Sequence, residues 1–215
     1  MDVFLQTLVA GVLIGGIYSL IGIGMSLIMG VMGIINLAHG QLMMVAMYIT
    51  FVLSHYLHLD PYFSLLVAMP SLFLLGMFLQ KYLLNPLIKV DSILPENQVL
   101  MTVGIGMVLA EIARFIFSSD YKTVQTPYSS SAFFIGGISF NLAMSIAFLF
   151  AVAFTIALFW FLLKTDLGRC ICATAQDKDA ATLMGVNSSR ITIITFGIGS
   201  ALVAAAGTLL IPIYY

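Results

Sequence analysis

The chain has 215 residues, 61% of them hydrophobic and only 8% charged, with a mean hydropathy of +1.12. A soluble domain of this size needs far more charge to cover its surface, so a water-soluble globular fold is excluded. The formal net charge of −1 identifies no partner, because where the charges lie says more than their sum.

Residues 3–59 and 123–163 contain no Asp, Glu, Lys or Arg. Runs of that length predict membrane spans of ~20 residues each. In chain order the predicted spans are 4–29, 37–57, 62–82, 98–117, 142–163 and 191–213. The breakers between them are 30–33, the His58-Leu59-Asp60-Pro61 turn, 85–97 with two prolines, the Ser-rich 118–137, and the polar loop 164–190. The expected fold is all-α: one polytopic membrane domain over 1–215, with about six transmembrane helices and a polar, charged loop at 164–190. Met1-Asp2 lacks the positive start of a signal peptide and the apolar run behind it is too long, so no cleaved leader is expected.

In the first span, Gly11 and Gly15, then Gly22 and Ser26, place small residues at four-residue spacing. Gly197 with Ala201, and Ser200 with Ala204, do the same in the sixth. Such positions predict close helix–helix approach, within this chain or across a dimer.

Between the first two spans, Asn36 and His39 are polar, three residues apart, and flanked by Gly30, Gly33 and Gly40 close to a membrane face. Two readings stand there. Asn and His beside a helix break commonly bond freed carbonyls or a neighbouring span. Gly-interrupted helices in transporters also expose backbone ends that hold a substrate's charged groups, and a zwitterionic amino acid with an apolar side chain would suit such a patch. Tyr48, further on, reads as packing.

The fourth span carries Glu111 and Arg114, three residues apart on one helical face. A structural intramembrane ion pair is the plainer reading, with Arg114 reaching towards the outer end, and a substrate contact is the other.

The loop 164–190 holds Lys164, Arg169, Lys178 and Arg190, and the connection 81–97 holds Lys81 and Lys89, whereas 118–139 holds only Lys122. The positive-inside rule places the first two in the cytoplasm and the N-terminus outside. Within the loop, Asp177 predicts an N-cap and Gly185 a left-handed C-terminal stop. Ala180, Leu183 and Met184 between them make one small apolar face. A helix of about two turns is not stable alone. It packs back onto its own membrane domain, or it enters a groove on a cytoplasmic partner. Cys170 and Cys172, without further Cys or His nearby, are too few for a zinc site and read as incidental thiols.

Asp179-Ala180-Ala181-Thr182-Leu183-Met184-Gly185 resembles the Glu-Ala-Ala-x-x-x-Gly loop of ABC importer permeases, with Asp in place of Glu. Its lead-in, Thr165-Asp166-Leu167-Gly168-Arg169 and then Ala173-Thr174-Ala175-Gln176-Asp177, resembles the version in branched-chain amino acid permeases. Gly33-Ile34-Ile35-Asn36-Leu37-Ala38-His39-Gly40 is similar to that family's "G-x-x-N-x-A-H-G" segment. The resemblance covers essentially the whole chain and is to the LivH type. It implies a permease subunit of the bacterial inner membrane, paired with a homologous permease and two cytoplasmic ABC ATPases and fed by an external binding protein. It also implies that residues 177–185 form a coupling helix on one ATPase. Permeases of this kind normally continue for about two further spans, so the resemblance implies a chain lacking its C-terminal spans. The Ile-x-Leu-Pro that follows the Gly in many ABC importers is absent.

No G-x-x-x-x-G-K-[ST] phosphate loop occurs, so ATP and Mg are expected on the partner ATPases, with no cofactor on this chain. The competing expectation is an ion-coupled secondary transporter using Glu111, the only carboxylate inside a span. An intramembrane enzyme using His39 as base finds no nucleophile or paired carboxylate at a recognisable spacing.

Overall fold

The computed structural model describes residues 2–88, 95–118, 124, 131–135 and 138–213. Six helices in it are long and apolar enough to cross a membrane, and they coincide with the predicted spans. α1 (Asp2–Met32) stops at Gly33, whose φ of +72° is left-handed and whose N–H reaches the Met29 carbonyl at 2.8 Å. α2 (His39–Leu57) follows a six-residue non-helical stretch. Asp60 then caps α3 (Pro61–Leu79), its carboxylate accepting the Tyr62 N–H at 3.0 Å while Pro61 fits the first helical position.

α3 does not simply end. It continues through a π turn, Gln80–Leu84, into the short α4 (Asn85–Ile88). α5 (Pro95–Phe117) is the fourth span. The basic residues Lys89 and Lys122 lie outside the described residues, as does most of the Ser-rich breaker. One part of that breaker departs from expectation: Ala132–Ile135 (β1) pairs antiparallel with Ile138–Asn141 (β2). The Phe133 and Phe140 rings stack across this hairpin at 5.3 Å, and Ser139 accepts a 2.6 Å bond from Gln6 of α1. Asn141 then caps α6 (Leu142–Lys164) through the Met144 N–H.

The loop after α6 is more ordered than its one predicted helix. Thr165 caps α7 (Asp166–Gln176), and Asp177 caps α8 (Lys178–Leu183). Asn187 caps α9 (Ser188–Leu210).

α9 is the axle of the bundle. In its most apolar stretch 83% of residues are buried, against 17–33% in the other five spans. Small residues let neighbours close on it, as expected. Ser200 sits on Gly76 of α3, Gly197 on Phe73 and Met77, and Gly207 on Met43 of α2. From α1, the contacts within the chain are made by Gly16, against the Phe148 ring, and Gly24, against the Gly199 carbonyl, while nothing described lies against Gly11, Gly15 or Gly22. Two apolar clusters flank α9. One is built on Leu42, Leu72, Phe196 and Val203, and the other on Ile17, Leu20, Ala147 and Leu209.

Candidate functional site

The first candidate is the surface carried by α8. Asp177 Oδ1 accepts the N–H groups of Asp179 and Ala180 at 2.9 Å each, satisfying two free amides of the first turn. At the other end Gly185 has a φ of +90°. Its N–H bonds the Thr182 carbonyl at 3.0 Å and the Val186 N–H bonds the Ala181 carbonyl at 3.0 Å, the paired arrangement of a Schellman stop. Both predicted ends of the helix therefore stand where they were expected.

Its faces divide sharply. Ala181 is 5% exposed and turned inward, on the side where α8 meets α7 and the start of α9. Leu183 and Met184 are 89% and 86% exposed, and Ala180 and Asp179 are exposed beside them. The predicted Ala180–Leu183–Met184 face thus does not fold back on its own domain. Ala181, grouped with that face in the coupling loop, is instead an anchor. Arg169 pairs with Asp166 at 2.6 Å across one turn of α7, both side chains largely exposed. α7 holds the platform to the membrane domain: Gly168 abuts the Phe161 and Leu162 backbone, and Ile171 and Thr174 are buried.

The second candidate is the break before α2. Three neighbouring helices gauge its depth. His39 Nε2 lies 3.2 Å from the Ile21 carbonyl oxygen, about three turns before α1 ends. Ala38 and Gln41 lie against Gly106, about three turns into α5. Gly24, beside the His39 ring, meets Gly199 about three turns into α9. Each is about three turns, ~16 Å, from an end of its helix. The chain therefore turns at Gly33, runs back beside α1, and starts α2 level with Ile21. α1, α5 and α9 line one side of this irregular backbone, burying Asn36, Ala38 and His39, while Ile35, Leu37 and Gly40 stay exposed.

Asn36 and His39 are 2% and 4% exposed. Asn36 Oδ1 accepts the Ala38 N–H at 3.0 Å, the Asn36 carbonyl accepts the His39 N–H at 3.3 Å, and Thr102 Oγ1 of α5 accepts the Leu37 N–H at 3.1 Å. These bonds serve the structural reading. They leave a remainder: Asn36 Nδ2, His39 Nδ1 and Gln41 Oε1 are buried without a partner. No side chain caps α2, and the amides of Gly40 and Gln41 meet no acceptor among the described residues. Gly40 is exposed, with open space around it. Sequence reasoning missed Gln41 and Thr102. Their signal was a polar side chain inside an apolar span, next to a segment already singled out.

Glu111 and Arg114 form the expected ion pair at 2.9 Å. Both are more than half exposed, on the outward face of α5 rather than in the core. Tyr48 stacks on Phe117 at 4.3 Å, a packing contact between α2 and α5. Cys170 and Cys172 are both free. The structure brings Asn36, His39 and Gly40 together with each other but not with α8 or with the Glu111–Arg114 pair; α9 is the element that joins the two candidate regions.

Comparison with known proteins adds a match over residues 7–214 to a family described as the permease component of branched-chain amino acid transport systems. The chain is 31% identical to the high-affinity branched-chain amino acid transport system permease protein BraD of Pseudomonas aeruginosa, over 96% of this chain and 70% of that protein. It is 28% identical to the permease protein LivH of Salmonella typhimurium, over 98% of this chain and 71% of that protein. The corresponding protein LivH of Escherichia coli K12 is 27% identical over the same shares. No solved structure matches significantly.

Proposed function

The chain belongs to the family of permease components of branched-chain amino acid transport systems, and on that premise we infer that it is the membrane-spanning permease subunit of an ATP-driven importer for branched-chain or similar small amino acids. Membership of this family makes it a non-enzymatic subunit and disfavours the ion-coupled alternative through Glu111.

Its partners are a second homologous permease subunit, two cytoplasmic ABC ATPases carrying ATP and Mg, and an external substrate-binding protein. The observation that carries the ATPase contact is the exposure of Leu183 and Met184 on a helix capped at both ends. A short, rigidly ended helix presenting two large apolar side chains to water suits a groove on a soluble partner. Residues 177–185 act as the coupling helix, Ala181 seating it on the membrane domain and Ala180, Leu183 and Met184 facing the ATPase. The basic residues Lys81, Lys164, Arg169, Lys178 and Arg190 support a cytoplasmic position for this side and an N-terminus outside. Substrate passes beside Asn36, His39 and Gly40 at the start of α2.

The test is reconstitution. The chain, co-expressed with the permease, ATPases and binding protein encoded beside it, is placed in proteoliposomes. ATP-dependent uptake of labelled leucine, isoleucine or valine, lost when the ATPases or the binding protein are omitted, is the expected result. Uptake that instead follows a proton or sodium gradient would overturn the reading.

A further inference from the structure

The start of α2 gathers unpaired polar groups of both kinds at one depth. His39 Nε2 faces the Ile21 carbonyl, which only accepts, so Nε2 carries the proton and a neutral ring leaves Nδ1 as a buried acceptor. Gln41 Oε1 is a second buried acceptor without a donor. On the donor side stand Asn36 Nδ2 and the amides of Gly40 and Gln41. The 3.0 Å bond from the Ala38 N–H to Asn36 Oδ1 pins that side-chain amide against the same helix end. Asn36 and His39 are 98% and 96% hidden by the measure that leaves them 2% and 4% exposed, so water outside the bundle does not solvate them. Unpaired donors and acceptors are costly in hydrocarbon, and their persistence together marks a place that polar atoms visit.

An α-amino acid carries both complements. Its carboxylate suits the three donors and the positive end of α2, and its ammonium suits Gln41 Oε1, the acceptor on the α5 side. The side chain has somewhere to go as well. Gln41, Val45 and Ile49 recur at four-residue spacing on one face of α2. Val45 and Ile49 line an apolar groove of about 310 Å³ whose other wall is Leu109, Ile112 and Ala113 of α5. Gly106, one turn before that wall, is the residue against which Gln41 rests.

We propose that the start of α2 is a transient binding site for the zwitterionic headgroup of the transported amino acid. The carboxylate is held by the Gly40 and Gln41 amides with Asn36, the ammonium by Gln41 Oε1, and the aliphatic side chain lies in the α2–α5 groove, whose Val45 and Ile49 continue the Gln41 face of α2. The inference rests on the transport function above and adds the ligand class, the atoms and a residue outside the family-like segment.

Two variants test it in the reconstituted importer. A Cβ at Gly40 meets no atom within 4 Å, so Gly40→Leu is compatible with the fold yet crowds the amides. Gln41→Leu removes the acceptor while keeping volume. Both are expected to lower leucine uptake at least about tenfold. ATP hydrolysis stimulated by the loaded binding protein should stay within about twofold, and the ATPases should still co-purify, because the α8 contact is untouched. A leucine analogue with a photoreactive diazirine in its side chain should label peptides covering 40–49 and 106–113, and unlabelled leucine should compete. Normal uptake in both variants, or parallel loss of uptake and ATPase assembly, overturns the site and leaves the transport function standing. A wild-type importer that carries no aliphatic amino acid overturns the function on which the site rests, and that result appears before any variant is made.

Discussion

Asn85 donates from Nδ2 to Ser189 Oγ at 3.1 Å, joining the end of the π turn to the first turn of α9. Its Oδ1 accepts from Nε2 of the fully buried Gln80 at 2.9 Å, and the neighbouring Ser188 shares a 2.6 Å bond with Thr182 of α8. A polar chain therefore runs from α8 into the bundle. Asn85→Leu would strip Gln80 of its partner at a point where Gln80 Oε1 is already unpaired. The expected cost is about 1–3 kcal/mol, read as a lower thermal midpoint of the purified complex. An unchanged midpoint would show that water replaces the link.

Leu183 and Met184 should matter to assembly and not to folding. Both are almost fully exposed, so Leu183→Ser with Met184→Ser removes no contact within the chain. Expression and membrane insertion are expected to be normal. Co-purification of the ATPases should fall at least about tenfold, as for loss of a large apolar anchor from a groove.

Ala181→Asp should fail differently. The residue is 5% exposed, so a carboxylate there would be buried. A cost of about 1–3 kcal/mol or more is expected, and it should appear as reduced yield and a lower melting point of this chain alone. Loss of ATPase binding with unchanged yield would contradict the inward placement.

The two helix stops can be weakened separately. Gly185→Ala forces a Cβ into a left-handed backbone, at a cost of about 1–2 kcal/mol. Asp177→Ala removes the cap from two amides, at about 1 kcal/mol. In either variant the α8 amides should exchange hydrogen roughly five- to tenfold faster while those of α9 do not change.

Glu111→Gln removes the acidic partner of Arg114 from an exposed position on α5. ATP-dependent uptake is expected to persist, because nothing in the importer reading asks this carboxylate to carry a proton. Abolished uptake that tracks an ion gradient would reinstate the secondary carrier.

What was legible in the sequence is what local chemistry controls. Charge-free runs set the spans, and Asp177 and Gly185 set the ends of α8, because capping depends on one or two residues. The α7 helix was hidden by its polarity, although Thr165 and Asp166 carry the start signal it uses. The facing of Ala181 escaped because three apolar residues at helical spacing imply one face, and only the position of α7 and the start of α9 reveals a second. The path of the break escaped too. Nothing in Gly33–Gly40 states that the chain runs back beside α1; that is decided by contacts with Ile21 of α1 and Thr102 and Gly106 of α5, distant in sequence. The β1–β2 hairpin was masked by the glycine pair that also reads as a plain breaker.

α9, on which α1, α2, α3 and α6 pack, is the one made last among the six described spans. Until residues 188–210 leave the ribosome, the earlier spans stand around a vacant seat, with Gly76 and Gly24 facing lipid and the unpaired start of α2 unshielded on one side.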